Sequence, residues 1–205
     1  MSSSTEESTL QSMPTGIKLR ILRHCFDLPT GLHSDRYPIL RKLRIDKISC
    51  IEKLGHLVPE ALYKNNILVI KPVVACERIS IPYPPPKLNN HVHKLEFVFA
   101  FAYSETELTR TQINWLRNLA EGRLGFDQLK SLRIVIPKPR LDSPEDTAGR
   151  ILEGLESAGK IVFPVENLEF EFHPDLECSR IVPREGHRSY LSMMAHDIKS
   201  FLTTA

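Results

Sequence analysis

Three stretches of the chain superpose without a gap: residues 92–99, 129–136 and 165–172. Each opens on an apolar residue, places a Leu three positions on, and then keeps apolar residues at alternate sites. The members are Val92, Leu95, Phe97 and Phe99; Leu129, Leu132, Ile134 and Ile136; and Val165, Leu168, Phe170 and Phe172. Alternation with a period of two is the mark of a strand with one buried face. Recurrence at a near-constant interval means that one supersecondary unit is used repeatedly.

The residues between the strands carry helical signals. Ser104 and Glu107 have the spacing of a capping box, followed by Ile113, Leu116, Leu119 and Ala120 at helical intervals. Ser143, Pro144, Glu145 and Asp146 read as an N-cap, a first-turn proline and two acids that complement the helix dipole. Ile151, Leu152, Leu155 and Ala158 form the stripe of that helix, and Gly159 is placed to end it in the left-handed conformation. A last helix, about 189–202, carries Leu191, Met194, Ile198 and Phe201 on one face.

The predicted order is therefore β-α-β-α-β-α, with parallel strands joined by crossover helices. Strands added in sequence put every helix on one side of the sheet, against Leu95, Phe97, Phe99 and their counterparts. The other side receives Lys94, Glu96 and Val98; Ser131, Arg133 and Val135; and Asn167, Glu169 and Glu171. A parallel sheet covered on both faces would be apolar on both, so this face is expected to be open to water. The pattern over residues 92–172 resembles leucine-rich repeats, with a longer period than the ~20–29 residues usual for that class. The expected fold is α/β: a helical N-terminal segment, then irregular leucine-rich-repeat-like β-α units with a small parallel sheet.

Arcs of this kind bind partners on their exposed strands. The candidate partner-binding residues are accordingly Lys94, Glu96, Arg133, Asn167, Glu169 and Glu171. In register, Glu96, Arg133 and Glu169 would form an acid-base-acid row, and such a row is equally a cross-strand ladder that steadies the sheet.

The first ninety residues read mainly as helix. Thr15 is a candidate cap for a helix bearing Ile17, Ile21, Leu22 and Cys25 on its apolar side, with Lys18, Arg20 and Arg23 on other faces. Leu28, Pro29, Thr30 and Gly31 break it. Further helical patterns follow from Pro38 and from Lys47, the latter restarting at Pro59, and residues 67–70 read as a short strand able to pair with the repeat sheet. The proline-dense run 81–87 reads as a connector, with Pro82 and Pro85 a minimal match to a Pro-rich SH3-type ligand. The expected division is a disordered tail over 1–12, a helical segment over 13–66 and an α/β repeat domain over 67–205.

Two stretches of this front part carry a resemblance. Met13 to Leu22, with its Met-Pro pair ahead of a helix bearing Ile17, Leu19, Ile21 and Leu22, resembles the opening of an F-box. Residues 57–70 are similar to a stretch that follows the motif in many small F-box-like proteins of fungi, which commonly continue into short α/β repeats. The resemblance implies an adaptor: the F-box helices dock on a Skp-family linker of a cullin-type ubiquitin ligase, and the repeats select a client. It implies linker-docking residues Pro14, Ile17, Ile21 and Leu22. The same stripe is also readable as a helix face packed against the repeats.

Composition narrows the classes. Hydrophobic residues make up 41% of the 205, enough for a core. The 27 basic and 25 acidic residues leave a net charge of +2, which argues against nucleic acid as a partner. That balance hides a basic front over 18–47 and an acidic stretch over 142–177. The longest apolar runs are too short to span a bilayer, and no membrane partner is expected. The acidic, Ser-rich opening does not read as a signal peptide. The scattered Cys25, Cys50, Cys76 and Cys178 read as reduced thiols of an intracellular protein, cytoplasmic or nuclear. Cys25 and Cys50 fall on helical stripes and read as core residues.

Catalytic signatures are sparse. There is no nucleophile elbow, P-loop or dinucleotide fingerprint, and nine glycines give phosphate-cradling loops little material. His91 and His93 share the spacing of a ligand pair on a strand, with His173 and Cys178 as distant candidates for a third ligand. The expectation is a protein-binding adaptor without catalytic residues, cofactor or metal. The alternatives are a stand-alone binding domain with no ligase role, or a small metal-dependent hydrolase built on the histidines.

Overall fold

A computed structural model describes residues 12–51, 54–75, 78–101, 105–137, 144–172 and 185–205. In chain order the front contains α1 (Thr15–Cys25), β1 (Leu32–His33), α2 (Tyr37–Leu40), α3 (Asp46–Ser49) and α4 (Val58–Tyr63). There follow β2 (Ile67–Ile70), the antiparallel hairpin β3 (Val73–Ala75) and β4 (Arg78–Ser80), α5 (Pro86–Asn89) and β5 (Lys94–Val98). The second half is α6 (Glu105–Ala120), β6 (Ser131–Ile136), α7 (Pro144–Ala158), β7 (Ile161–Phe163), β8 (Asn167–Phe172), α8 (Glu185–Phe201) and β9 (Leu202–Thr204).

The protein is mixed α/β, built on a parallel five-stranded sheet in the order β1-β2-β5-β6-β8. Every neighbouring pair is parallel, so each strand is added beside the one before it. The register brings one leucine from every strand into a single row: Leu32, Leu68, Leu95, Leu132 and Leu168. The first four are buried and Leu168 is half-buried. The recurring Leu marks the inward row because a slip of one residue would turn every apolar side chain of a strand to the solvent face.

Beside this row the aromatic residues set the thickness of the core. The Phe97 ring stacks on Trp115 of α6 at 4.9 Å between centroids, and Phe99 meets Phe97 edge-on at 5.4 Å. Phe126 and Tyr83 close around the same indole, at 6.3 and 6.0 Å. Ile113, Leu116 and Leu119 of α6, with Ile151 and Leu155 of α7, are buried in the same core. Each such side chain contributes about 1.5–3 kcal/mol by leaving water.

Several expectations hold. Helices lie over 105–120 and 144–158, and Gly159 has φ +76°, the left-handed stop expected after α7. Met194 and Ile198 of α8 are buried. The capping signals at Ser104 and Ser143 fall outside the described residues.

Other expectations are corrected. Thr15 is the first residue of α1, while Pro14 occupies the N-cap and offers no side-chain hydrogen bond. Cys25 and Cys50 are exposed. In α1 the inward stripe is displaced by one position from the expected one and consists of Lys18, Leu22 and Phe26. Residues 67–70 form β2 beside β5 as expected, and the two-residue β1, which was not expected, extends the sheet beyond it. Buried residues from Leu22 to Leu202 belong to one core. Pro86 opens a short helix inside the run expected to be a connector, using the one helical position where a missing N–H costs nothing.

Between α2 and α3, Arg41–Ile45 adopts the wider π-helical turn. The residues turned toward the core are Tyr37, Leu40, Ile45 and Ile48, at intervals of three, five and three. A regular helix would place Arg44, four residues after Leu40, on that inner face. The extra residue of the π turn brings Ile45 inward and leaves Arg44 in water.

Candidate interaction surfaces

The side of the sheet away from the leucine row is open and built of three registered rows. The first runs Ile67, Lys94, Ser131, Asn167; the second Val69, Glu96, Arg133, Glu169; the third Val98, Val135, Glu171. All six residues expected to bind partners lie on this face. Lys94, Asn167, Glu169 and Glu171 are exposed, while Glu96 and Arg133 are half-buried.

The row Glu96, Arg133, Glu169 forms in register, with one ion pair straight across and the other diagonal. Arg133 Nη1 donates to Glu96 Oε2 at 3.2 Å, and Nη2 reaches diagonally to Glu171 Oε2. Just outside the strands, Lys130 Nζ meets Glu166 Oε1 at 2.9 Å. With Arg133 still 42% exposed, each of its pairs contributes no more than ~1 kcal/mol. The face is thus a charged, sign-alternating surface bordered by Ile67.

The second surface is α1. Its inner side packs on α4, where the Arg23 guanidinium lies 3.7 Å from Glu60, itself 3.4 Å from Lys64. Because the inner stripe is Lys18, Leu22 and Phe26, its neighbours Ile17 and Ile21 face outward, 49% and 39% exposed. Pro14 is exposed beside them. Three of the four expected linker-docking residues therefore share the solvent side. Leu22 does not: at 3% exposed it belongs to the core, because it stands one helical turn from both Lys18 and Phe26 on the inner stripe. Ile39 and Leu43, one turn apart on the outer side of the next helical stretch, are likewise exposed.

The buried amides that position these surfaces were not singled out from the sequence. Asn66 Nδ2 donates to the carbonyls of Phe26 and Leu62, both at 2.7 Å, and its Oδ1 accepts from the Leu28 N–H at 3.0 Å. One side chain thereby ties the end of α1 to the end of α4 just before β2 begins. Gln112 holds both backbone groups of Ala100, accepting its N–H at 2.7 Å and donating to its carbonyl at 3.1 Å. Asn89 Nδ2 donates to the Leu124 carbonyl at 2.7 Å. For Asn66 the available signal was an amide directly before an apolar strand run; Gln112 and Asn89, inside and at the end of helices, carried none.

His91 and His93 precede β5 rather than lying on it, so strand geometry does not put them on one face. Burial, reinforced by the Lys64 and Lys130 ammonium groups, holds His93 below its ordinary pKa. His173 and Cys178 lie outside the described residues, within which no three His, Cys, Asp or Glu side chains gather as a metal site. A cavity of about 210 Å³ opens between Tyr37, Tyr83 and Pro82, with Leu68 in its wall. Tyr63 stacks obliquely on Tyr37 at 6.4 Å, and burial raises its hydroxyl far above the usual tyrosine range. That phenol stays protonated.

No family model, curated protein or solved structure matches this chain. The surfaces must therefore be interpreted from their own chemistry. Among the described residues no helix is long and apolar enough to cross a membrane.

Proposed function

We propose that this protein is an intracellular protein-interaction adaptor that bridges two partners through separate surfaces. The sheet and its crossovers act as an irregular leucine-rich-repeat-like arc, a reading supported by the single leucine row and the open polar face opposite it. That open face takes a client protein. Helix α1 takes a second partner, a Skp-family linker of a ubiquitin ligase, through Pro14, Ile17 and Ile21.

The observation that carries the reading is the outward placement of Ile17 and Ile21 while Lys18 turns inward. Leaving two isoleucines in water on one helix face forgoes stabilisation that an inward stripe would provide, and exposed apolar groups of this kind mark association surfaces. Affinity capture from cells with the wild-type chain and with Ile17→Asp tests it. A Skp-type linker should be recovered by the wild type and lost with the variant, at unchanged thermal stability. Absence of any such linker from the wild-type capture, or equal recovery by both chains, sinks the ligase role.

A further inference from the structure

Strand β8 ends the sheet: β6 pairs with it on one side and, among the described residues, no strand is hydrogen-bonded to the other, although β9 comes near β8 without pairing with it. Its outward backbone N–H and C=O groups form a template for one more strand. Two features of the edge specify what that strand carries. Along the middle row the charges alternate as Glu96, Arg133, Glu169, and Arg133 is already engaged by Glu96 and Glu171. Glu169 is exposed and has no ion-pair partner among the described residues. The next position in that row suits a cation, since opposite charges across a strand pair attract.

On the other side of β8, Phe172 is buried but the two residues before it on that face are less so. Leu168 and Phe170 are half-buried, whereas their counterparts Leu95, Phe97, Leu132 and Ile134 on the inner strands are buried. The Lys199 ammonium stands 6.0 Å from the Phe170 centroid and 5.2 Å from that of Phe172, so a cation lies over these rings. Another apolar layer beside Leu168 and Phe170 would complete their burial.

We infer that β8 accepts an extended segment of a protein partner as a sixth strand. Lys or Arg at alternate positions of that segment faces Glu169 and Glu171, and apolar side chains between them continue the leucine row. This inference rests on the open face being the client surface and narrows the chemistry of the client. A second copy of this chain does not fit. Antiparallel pairing of β8 with itself sets Asn167, Glu169 and Glu171 against one another, which opposes like charges. The sheet's other edge, β1, is only two residues long.

The test uses the full chain and three lysine–valine peptides. One alternates the two residues, one has the same composition in two blocks, and one alternates but is N-methylated at every second residue. The alternating peptide should bind and slow hydrogen exchange within residues 167–172. The block and methylated peptides should bind about tenfold more weakly, having lost the strand pattern or the backbone bonds. Glu169→Lys should weaken the alternating lysine peptide about fivefold and favour an alternating glutamate–valine peptide instead. Equal binding of the alternating and block peptides would mean diffuse charge attraction and would overturn the inference. So would an alternating peptide that fails to bind, or one that leaves exchange at β8 unchanged. Linker capture through Ile17 is read in a separate experiment, so loss of one result leaves the other standing.

Discussion

Strands β5 and β8 carry the same motif, Leu-x-Phe-x, yet the two copies have different physical standing. In β5, Phe97 is fully buried against Trp115, between strands β2 and β6. In β8, Phe170 is half-buried, with a neighbouring strand on one side and the Lys199 ammonium above it. Periodicity therefore assigns the face on which a residue lies, whereas what covers that position decides how deeply it is buried. The same pattern contributes stability in the middle of the sheet and accessible surface at its end.

The sharpest way to break this comparison is a matched pair of truncations. Phe97→Ala should destabilise the protein by about 3–5 kcal/mol, through lost transfer energy and the cavity left beside Trp115. Phe170→Ala should cost about half as much or less, since its site is already partly hydrated. Equilibrium denaturation of both variants measures the difference. Equal losses would mean that the sheet's end is as well packed as its middle.

A second contrast concerns asparagines at the start of two strands. Asn66, just before β2, is buried and makes three hydrogen bonds to backbone groups of Phe26, Leu28 and Leu62. Asn66→Ala strands those groups without water, so a loss of about 2–3 kcal/mol is expected. Asn167 at the start of β8 is exposed, and Asn167→Ala should fall within about 0.5 kcal/mol of the wild type. Thermal midpoints of the two variants read this directly, and a small effect at Asn66 would remove the proposed clamp between α1 and α4.

The same contrast explains what the sequence made legible. The strands at 94–98, 131–136 and 167–172, their inward and outward residues and their mutual register followed from period-two alternation and a constant interval. Strand β1 escaped because two residues cannot show a period. Strand β2 was recognisable as a partner for the repeat sheet, but not as a member of the repeat, since no apolar residue stands three positions before Leu68. The inner stripe of α1 was misplaced by one residue because it contains a lysine, and hydrophobicity alone cannot predict a buried Lys18. Of the candidate surfaces, the open-face set was legible residue by residue, while its diagonal Arg133–Glu171 pair depends on side-chain reach that register does not specify.

The smallest expected effect lies at the start of β5, on the interior side of the comparison. His93 is held below its ordinary pKa of 6.5 by burial first and by Lys64 and Lys130 second, with Glu60 partly opposing them. The folded chain therefore resists taking up a proton that the unfolded chain accepts. Stability attributable to His93 is complete above about pH 6.5 and is lost as the pH falls through that value toward the lower folded-state pKa. His93→Gln should remain uncharged throughout and so lose less stability than the wild type on acidification from about pH 7.5 to about 5.5. The difference in thermal midpoint between the two proteins should narrow steadily across this range. Were it to stay constant, His93 would titrate alike in both states, and the start of β5 would be as open to water as the end of the sheet.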